Sequence, residues 1–515
     1  MPWCAGGGRR YHAEGAGRAP ATSCENAGMR ASEASMKRPV LVLASIVLSL
    51  AVWPGSGAAS PAVARPSGVA AGPLTPPQRE WLARAHRFDR EGWVYLRIDG
   101  PPRERGFQHG YLLAREIDES LRATRREWEY ESGMDWAWLV QKAETMLVPR
   151  IDAELLAEMD GIVEGLAAAG VRTTRAEIVT YNASTELTGY WWPTVKKEIG
   201  ARSPDRPKQS CSSFIATGSM TRDRGIVLGH NTMTGYPSAD CNVVLEIVPR
   251  TGHRILMQGV PGWIHSGTDF FVTEAGLVGS ETTIGGFSGF DDKEVPEFAR
   301  MRRATQDAST IDEWCAIMRK GNNGGYANAW LVGDVKTSEI ARLELGLKHV
   351  GFERTKDGYF VGSNIAEDPK VLRLETDEHE TDIRVSGVAR RVRWKQLMKE
   401  HRGRIDAELA KAFEGDHLDT YLGQERLGSR SLCAHWEDET TDPGEAPFSP
   451  SGTVDAKVVD SRMAKRMAFA ARWGSGCGTA FDAAAFLEKH PQFEWMREIL
   501  RSRASHPWVE FRAGE

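Results

Sequence analysis

Cys211 lies in the run Gln209-Ser210-Cys211-Ser212-Ser213-Phe214, where a polar loop gives way to a strand-like pattern. Hydrolysis of the Ser210–Cys211 peptide bond would put a thiol and a free α-amino group on one residue. An α-amino group titrates near about pH 8, close enough to neutrality to act as general base for the thiol beside it. In the uncut chain the same thiol is placed to attack the carbonyl of Ser210, giving a thioester that water opens. The competing reading is a buried structural cysteine at a strand start. Position alone favours that reading, because free cysteine is among the most buried residue types. His230 and Asn328 also admit two readings. On strands they serve as a hydrogen-bonded core histidine and as an amide satisfying backbone groups, or they face a reaction. Cys433 and His435 stand two residues apart, poor grounds for a metal site without further ligands. Trp191, Trp192, Trp263 and Trp330 read mostly as core, with the alternative of walling an acyl pocket.

The elements that must position these residues change character along the chain. Residues 78–200 read as mostly helical, with Gly92–Asp99 as a strand. Arg105-Gly106-Phe107-Gln108-His109-Gly110 opens a helix running through Ile117, and Leu155–Leu166 carries apolar residues at helical spacing, with Gly170 as a stop. Thr194 to Ser210 has Lys196, Lys197, Gly200, Pro204, Pro207 and Lys208 and no apolar period, an exposed loop of the kind that gets cut. The period then becomes two. Ser212–Thr217, Gly225–Gly229, Val243–Val248, Arg254–Gly259, Phe270–Glu274, Leu277–Glu281, Ala327–Val332 and Ile340–Leu345 read as strands. Helices return at Val392–His401, Ala407–Phe413, Ala480–Lys489 and Trp495–Ser502. Segregated helices and antiparallel strands predict an α+β fold. Helices on both outer faces of two stacked sheets would make a four-layer αββα sandwich.

The 515 residues carry a formal charge of −5, too small to draw nucleic acid or an anionic membrane, and no basic run is present. Met36-Lys37-Arg38, the apolar run Val40–Trp53 and the small residues to Ala59 have the layout of a secretory signal peptide over 36–59. The alternative, an uncleaved anchor, would need about 20 apolar residues. Residues 1–35 read as a non-structural extension before a start at Met36, and 60–77 as a Pro/Ala-rich linker. Of seven cysteines, Cys4 and Cys24 precede the expected mature chain, leaving an odd five: Cys211, Cys241, Cys315, Cys433 and Cys477. No CxxC pair occurs, which argues against structural zinc.

Several segments, in order, carry a resemblance to a known family. They are Gly229-His230-Asn231-Thr232-Met233, Pro261-Gly262 through Asp269-Phe270-Phe271, Ser280-Glu281-Thr282-Thr283-Ile284-Gly285 and Tyr326-Ala327-Asn328 through Asp334. With Cys211 at the junction, they resemble the phospholipase-B-like family. The upstream pieces Arg105–Gly110, Glu158-Met159-Asp160-Gly161-Ile162 and Tyr181-Asn182 resemble the helical pro-segment of the related acyl-CoA:6-aminopenicillanate acyltransferases. Both families are N-terminal-nucleophile hydrolases. The resemblance implies a helical fragment 78–210 and a catalytic fragment 211–515 sharing one core. It implies Cys211 as nucleophile with its own amine as base, and Asn328 as donor to the tetrahedral oxyanion. His230 and Asn231 would line the site, with Thr282 beside them. One arginine of Ser386-Gly387-Val388-Ala389-Arg390-Arg391 resembles the acyltransferases' Ser…Arg element, with the register between Arg390 and Arg391 open. Met233 stands where those acyltransferases tend to place an aspartate, which favours the phospholipase-B-like branch. Asp240 and Asp269 are candidates for the missing acid.

The expected protein is an exported, self-cleaving acyl hydrolase acting on an amide or ester through a Cys211 thioester. Its partner would be a small acyl amide or lipid, and it would need neither metal nor organic cofactor. It would have no nucleic-acid partner and no stable membrane span after signal removal. The alternatives are an acyltransferase or small N-acyl amidase with the same mechanism, and a non-catalytic binding protein on the same fold.

Overall fold

Alternation of burial along the strands sets the layering. A computed structural model describes residues 72–200, 210–237, 242–267, 270–438 and 448–515. The extension, the signal segment, most of the linker, residues 201–209, Asp240, Cys241 and Asp269 lie outside them. The strands in chain order begin with β1 His86–Arg90, β2 Trp93–Gly100, β3 Ser210–Thr217, β4 Val227–Gly235, β5 Val243–Pro249 and β6 Ile255–Gly259. Next come β7 Phe270–Thr273, β8 Leu277–Thr283, β9 Asn328–Asp334, β10 Glu339–Leu345, β11 Val350–Thr355 and β12 Gly358–Gly362. The last are the short pair β13 Leu418–Asp419 and β14 Gln424–Glu425, then β15 Ser451–Asp460, β16 Ala468–Trp473 and β17 Val509–Arg512.

They form a nine-stranded sheet ordered β1-β2-β5-β6-β7-β8-β9-β10-β11 and a six-stranded sheet ordered β12-β3-β4-β15-β16-β17. Pairing is antiparallel except for β2 against β5. The small sheet sorts its side chains in alternation. Ile215, Leu228 and Val459 join the main core, whereas Phe214, Val227 and Val458 pack with Trp394, Leu397, Ala410 and Phe413 of the outer helices. The two sheets touch where the Ser213 and Ser280 hydroxyls lie 2.7 Å apart and Phe270 meets Phe469 edge-on. On the far side of the large sheet, Trp314 of the helix Ile311–Arg319 packs on Phe271 and Trp330. The helices Pro102–Leu112 and Ala153–Ala168 cross at backbone contact. A Cβ on Gly110 would fall 2.2 Å from the Ile162 carbonyl, and one on Gly161 2.2 Å from that of Arg103. The expected four layers, αββα, are therefore present.

Three expectations are corrected. The folded part starts earlier than residue 78, because Thr75 caps a helix Pro76–Leu82 with a capping box. Within the stretch expected as loop, Trp192–Glu198 is helical, with Pro at the first turn and Lys196 buried. The region after Arg390 is not helical throughout. β15, β16 and β17 complete the small sheet there, and Trp495–Ser502 is not a helix, since Pro491–Met496 is a 3-10 turn. No helix among the described residues is long and apolar enough to cross a membrane.

Candidate functional site

Cys211 is the second residue of β3, and strand alternation puts it on the same face as Ser213 and Ile215, toward the large sheet. It is 3% exposed. Its Sγ lies 4.0 Å from Oε1 of Glu281, on β8 of the opposite sheet. That carboxylate oxygen accepts a 2.7 Å hydrogen bond from the Tyr326 hydroxyl, and the Thr283 hydroxyl donates to Tyr326 Oη at 3.1 Å. Glu281 thus places an acid beside Cys211; Asp240 and Asp269, the candidates from the sequence, lie outside the described residues.

The carbonyl of Cys211 accepts from Nη1 of Arg390 at 2.6 Å. Arg390 is fully enclosed in the helix Ser386–Glu400 and also donates to Ser386 Oγ at 3.2 Å and Asn364 Oδ1 at 2.7 Å. The Asn364 amide in turn donates to the Thr283 carbonyl at 2.8 Å. Arg391, one residue on, points away and donates to the Glu380 carbonyl. The open register is thereby settled for contact with Cys211.

His230 pairs with Ser213 across β3–β4, and its Nε2 is 2.9 Å from the Glu281 carbonyl. Burial, followed by repulsion from Lys457, holds its pKa well below the usual value, so the ring is neutral. A carbonyl only accepts, so Nε2 carries the proton and Nδ1 keeps its lone pair. Thr232 is the register partner of Cys211 and of Asp455. Lys457 Nζ donates to Thr232 Oγ1 at 2.5 Å and pairs with Asp455, both side chains being fully buried. Gln258 of the large sheet donates to Asp455 at 3.2 Å. A buried ion pair therefore sits on β15, one strand beyond the β4 neighbour of Cys211, and burial raises the Asp455 pKa against the pull of Lys457.

The remaining expected residues separate. Thr282 is buried, its hydroxyl has no hydrogen-bond partner among the described residues, and it packs where a Cβ on Gly362 would come within 2.5 Å. Asn328 opens β9 fully buried, with neither side-chain amide atom hydrogen-bonded among the described residues. Asn231 is not brought to the thiol. It faces the opposite side of β4, where its amide donates to the Glu414 and Leu432 carbonyls at 2.8 Å each. The upstream motif residues are also structural. His109 Nε2 accepts from Gly262 N at 3.0 Å, and Asn182 bonds Ile264 N and the Gly262 carbonyl, clamping the loop Pro261–Ile264. Trp191, Trp192, Trp263 and Trp330 are all buried.

Sequence reasoning missed Glu281, Tyr326, Asp455 and Lys457 as members of this neighbourhood. The first two lay inside segments already singled out, next to Thr282 and Asn328. Asp455 and Lys457 carried a faint signal, opposite charges two apart in an otherwise strand-like run. Cys433 and His435 gain the further ligands that their spacing alone lacked. The fold brings His417 and Cys477 to them, with all four ligand atoms within 4.8 Å of one another.

The sequence is similar in part to known proteins. The phospholipase B family model matches residues 149–350. Phospholipase B-like 2 of Homo sapiens is 34% identical over 155 residues, 26% of this chain and 25% of that protein, and the Rattus norvegicus protein is 28% identical over 149 residues, 25% and 24%. Phospholipase B-like 1 of Caenorhabditis elegans is 22% identical over 368 residues, 59% of each chain. The match thus spans about a quarter of the length of the mammalian relatives. A Clostridium perfringens conjugated bile acid hydrolase aligns at 10% identity and a TM-score of 0.31, covering 51% of this chain and 89% of that one. Residues 149–350, which hold Cys211, His230, Asn231, Thr282 and Asn328, are thus similar to the phospholipase B family, in line with the resemblance of those segments.

Proposed function

We propose that this protein is an acyl hydrolase that matures by cutting itself between Ser210 and Cys211 and then uses Cys211 as an N-terminal nucleophile. The observation that carries the reading is the enclosure of Cys211. Its thiol is 4.0 Å from the Glu281 carboxylate while Arg390 holds its carbonyl. In maturation, the sulfur attacks the Ser210 carbonyl carbon, the peptide C–N bond breaks, and the thiol proton ends on the departing Cys211 amine. Water then opens the thioester, leaving a Ser210 carboxylate and a free α-amine. In turnover that amine takes the thiol proton, the sulfur attacks an amide or ester carbonyl, and the leaving group departs with that proton; water then attacks the Cys211 thioester, releasing the carboxylic acid and restoring the thiol and free amine. Asn328 donates to the oxyanion, the role for which its orphaned amide is suited. Neutral His230 positions the Glu281 segment through the Glu281 carbonyl. The names of the relatives and the apolar surroundings of Tyr190, Phe287 and Tyr326 support an acyl chain as the recognised group. Export through the segment 36–59 is part of the same reading.

Intact-mass analysis and N-terminal sequencing test it. Wild type is expected as two chains, the second beginning at Cys211, with hydrolysis of N-acyl amides or phospholipid esters. Cys211→Ala is expected as one chain with no turnover. Wild-type protein that is uncut across Ser210–Cys211 yet hydrolyses at full rate would overturn the proposal.

A further inference from the structure

Behind the nucleophile's sheet, four metal-binding side chains from three separate stretches of chain converge. His417 follows the helix Ala407–Phe413, Cys433 and His435 lie on the loop before β15, and Cys477 follows β16. The ligand atoms all lie within 4.8 Å of one another. Nε2 of His435 is 3.5 Å from Cys433 Sγ and 3.5 Å from Cys477 Sγ. A tetrahedral zinc with Zn–S of about 2.3 Å and Zn–N of about 2.05 Å has an N···S edge of about 3.6 Å. The observed spacing is that of ligands already arranged around an ion.

The outer surroundings fit as well. The second nitrogen of His435, Nδ1, is 3.0 Å from Glu437 Oε1, the carboxylate–histidine pairing that fixes a ligand's ring and tautomer. The sulfur of Cys477 accepts from Thr479 N at 3.3 Å and contacts the Ser475 hydroxyl at 3.2 Å. Cys433 N donates to the Asp416 carbonyl at 3.1 Å, tying the loop to the turn that bears His417. A disulfide between the two cysteines would leave both imidazoles unexplained.

We propose that His417, Cys433, His435 and Cys477 bind one zinc ion in a closed, structural Cys2His2 site. With four protein ligands the ion has no open position for substrate or water, so it is a staple. What it staples is the scaffold under β4. Leu432, beside Cys433, and Glu414 accept the Asn231 amide, and a Cβ on Gly476, beside Cys477, would lie 3.0 Å from Asn231 Oδ1. Asn231 adjoins His230 in the same strand, so the ion would anchor the back of the strand that pairs with that of Cys211.

Elemental analysis of the purified full chain after dialysis against metal-free buffer is the test. The expected result is one zinc per chain, in wild type and in Cys211→Ala alike, which separates this site from the proposed catalysis. Exchange into cobalt(II) is expected to give tetrahedral visible bands with thiolate charge transfer. Cys477→Ser and His417→Asn are expected to lower zinc content at least tenfold, while Cys315→Ala keeps it. Absence of stoichiometric zinc and of a cobalt spectrum in wild type would overturn the proposal. So would a Cys433–Cys477 disulfide found by non-reducing peptide mapping, or full zinc content in both ligand variants.

Discussion

The carbonyl and the thiol of Cys211 are held by different groups, Arg390 on one side and Glu281 on the other. Arg390 reaches its carbonyl as one arm of a guanidinium that also engages Ser386 and Asn364, a fork that a lysine cannot reproduce. Arg390→Lys is therefore expected to slow self-cleavage or turnover at least tenfold, about 1.4 kcal/mol in the barrier. Arg391→Ala should stay within twofold of wild type, and a time course of chain cleavage on gels reads both. Asn328→Ala is expected to reduce kcat by about 10²–10³, the usual loss for one oxyanion donor, with a smaller change in KM; steady-state kinetics on the best acyl substrate checks it. At this scale the sequence was legible in part. Position alone left Cys211 as a structural cysteine, and its proposed role, like that of Asn328, came through the resemblance. Glu281 did not, because nothing local distinguishes an inward glutamate from a solvated one. Asn231 looked catalytic beside His230, but adjacent strand residues face opposite sides, and it serves the outer layer instead.

Helix crossings without side chains between them leave no room for adjustment. At the crossing of Pro102–Leu112 with Ala153–Ala168, Gly110 and Gly161 each face a carbonyl of the other helix. Gly161→Ala is expected to destabilise by about 1–3 kcal/mol or more, since the obstacle is backbone rather than a movable side chain. A lowered urea midpoint with unchanged m-value would report it. The strands between Ser210 and Leu345 were readable because turn residues punctuate short alternating runs. β15 was not, because its inward positions include Asp455 and Lys457, whose charges mask the alternation until the ion pair is seen. The metal-type cluster was invisible for another reason, its four members being scattered from 417 to 477 without a short motif.

The molecule as a whole should lose stability as pH rises from about 4.5 to about 7 through Glu186. Burial raises its pKa from 4.5 to about 7, against hydrogen bonds from Asn323 at 2.6 Å and Phe298 N at 3.3 Å. Below about pH 4.5 both folded and unfolded chains hold the proton; between 4.5 and 7 only the folded chain does, so stability falls as pH rises across that window and levels off above it. The full effect is about 3 kcal/mol. Glu186→Gln should flatten that slope, gaining on wild type at pH 8 and matching it near pH 4 in urea titrations. The α+β class was legible from the order of helical and alternating segments, but the stacking of two sheets was not, because no periodicity reports which sheet a strand joins.

The parallel pairing of β2 with β5 joins residues 93–100, which precede Ser210, to the rest of the large sheet at one end of it. An intact chain recovers that pairing as an intramolecular event, at a rate indifferent to dilution. Two severed pieces must first find each other. Renaturation of a chain cut as proposed between Ser210 and Cys211 should be second order and fail in dilute solution, whereas Cys211→Ala returns readily, so the proposed scission would also commit the molecule to a single folding.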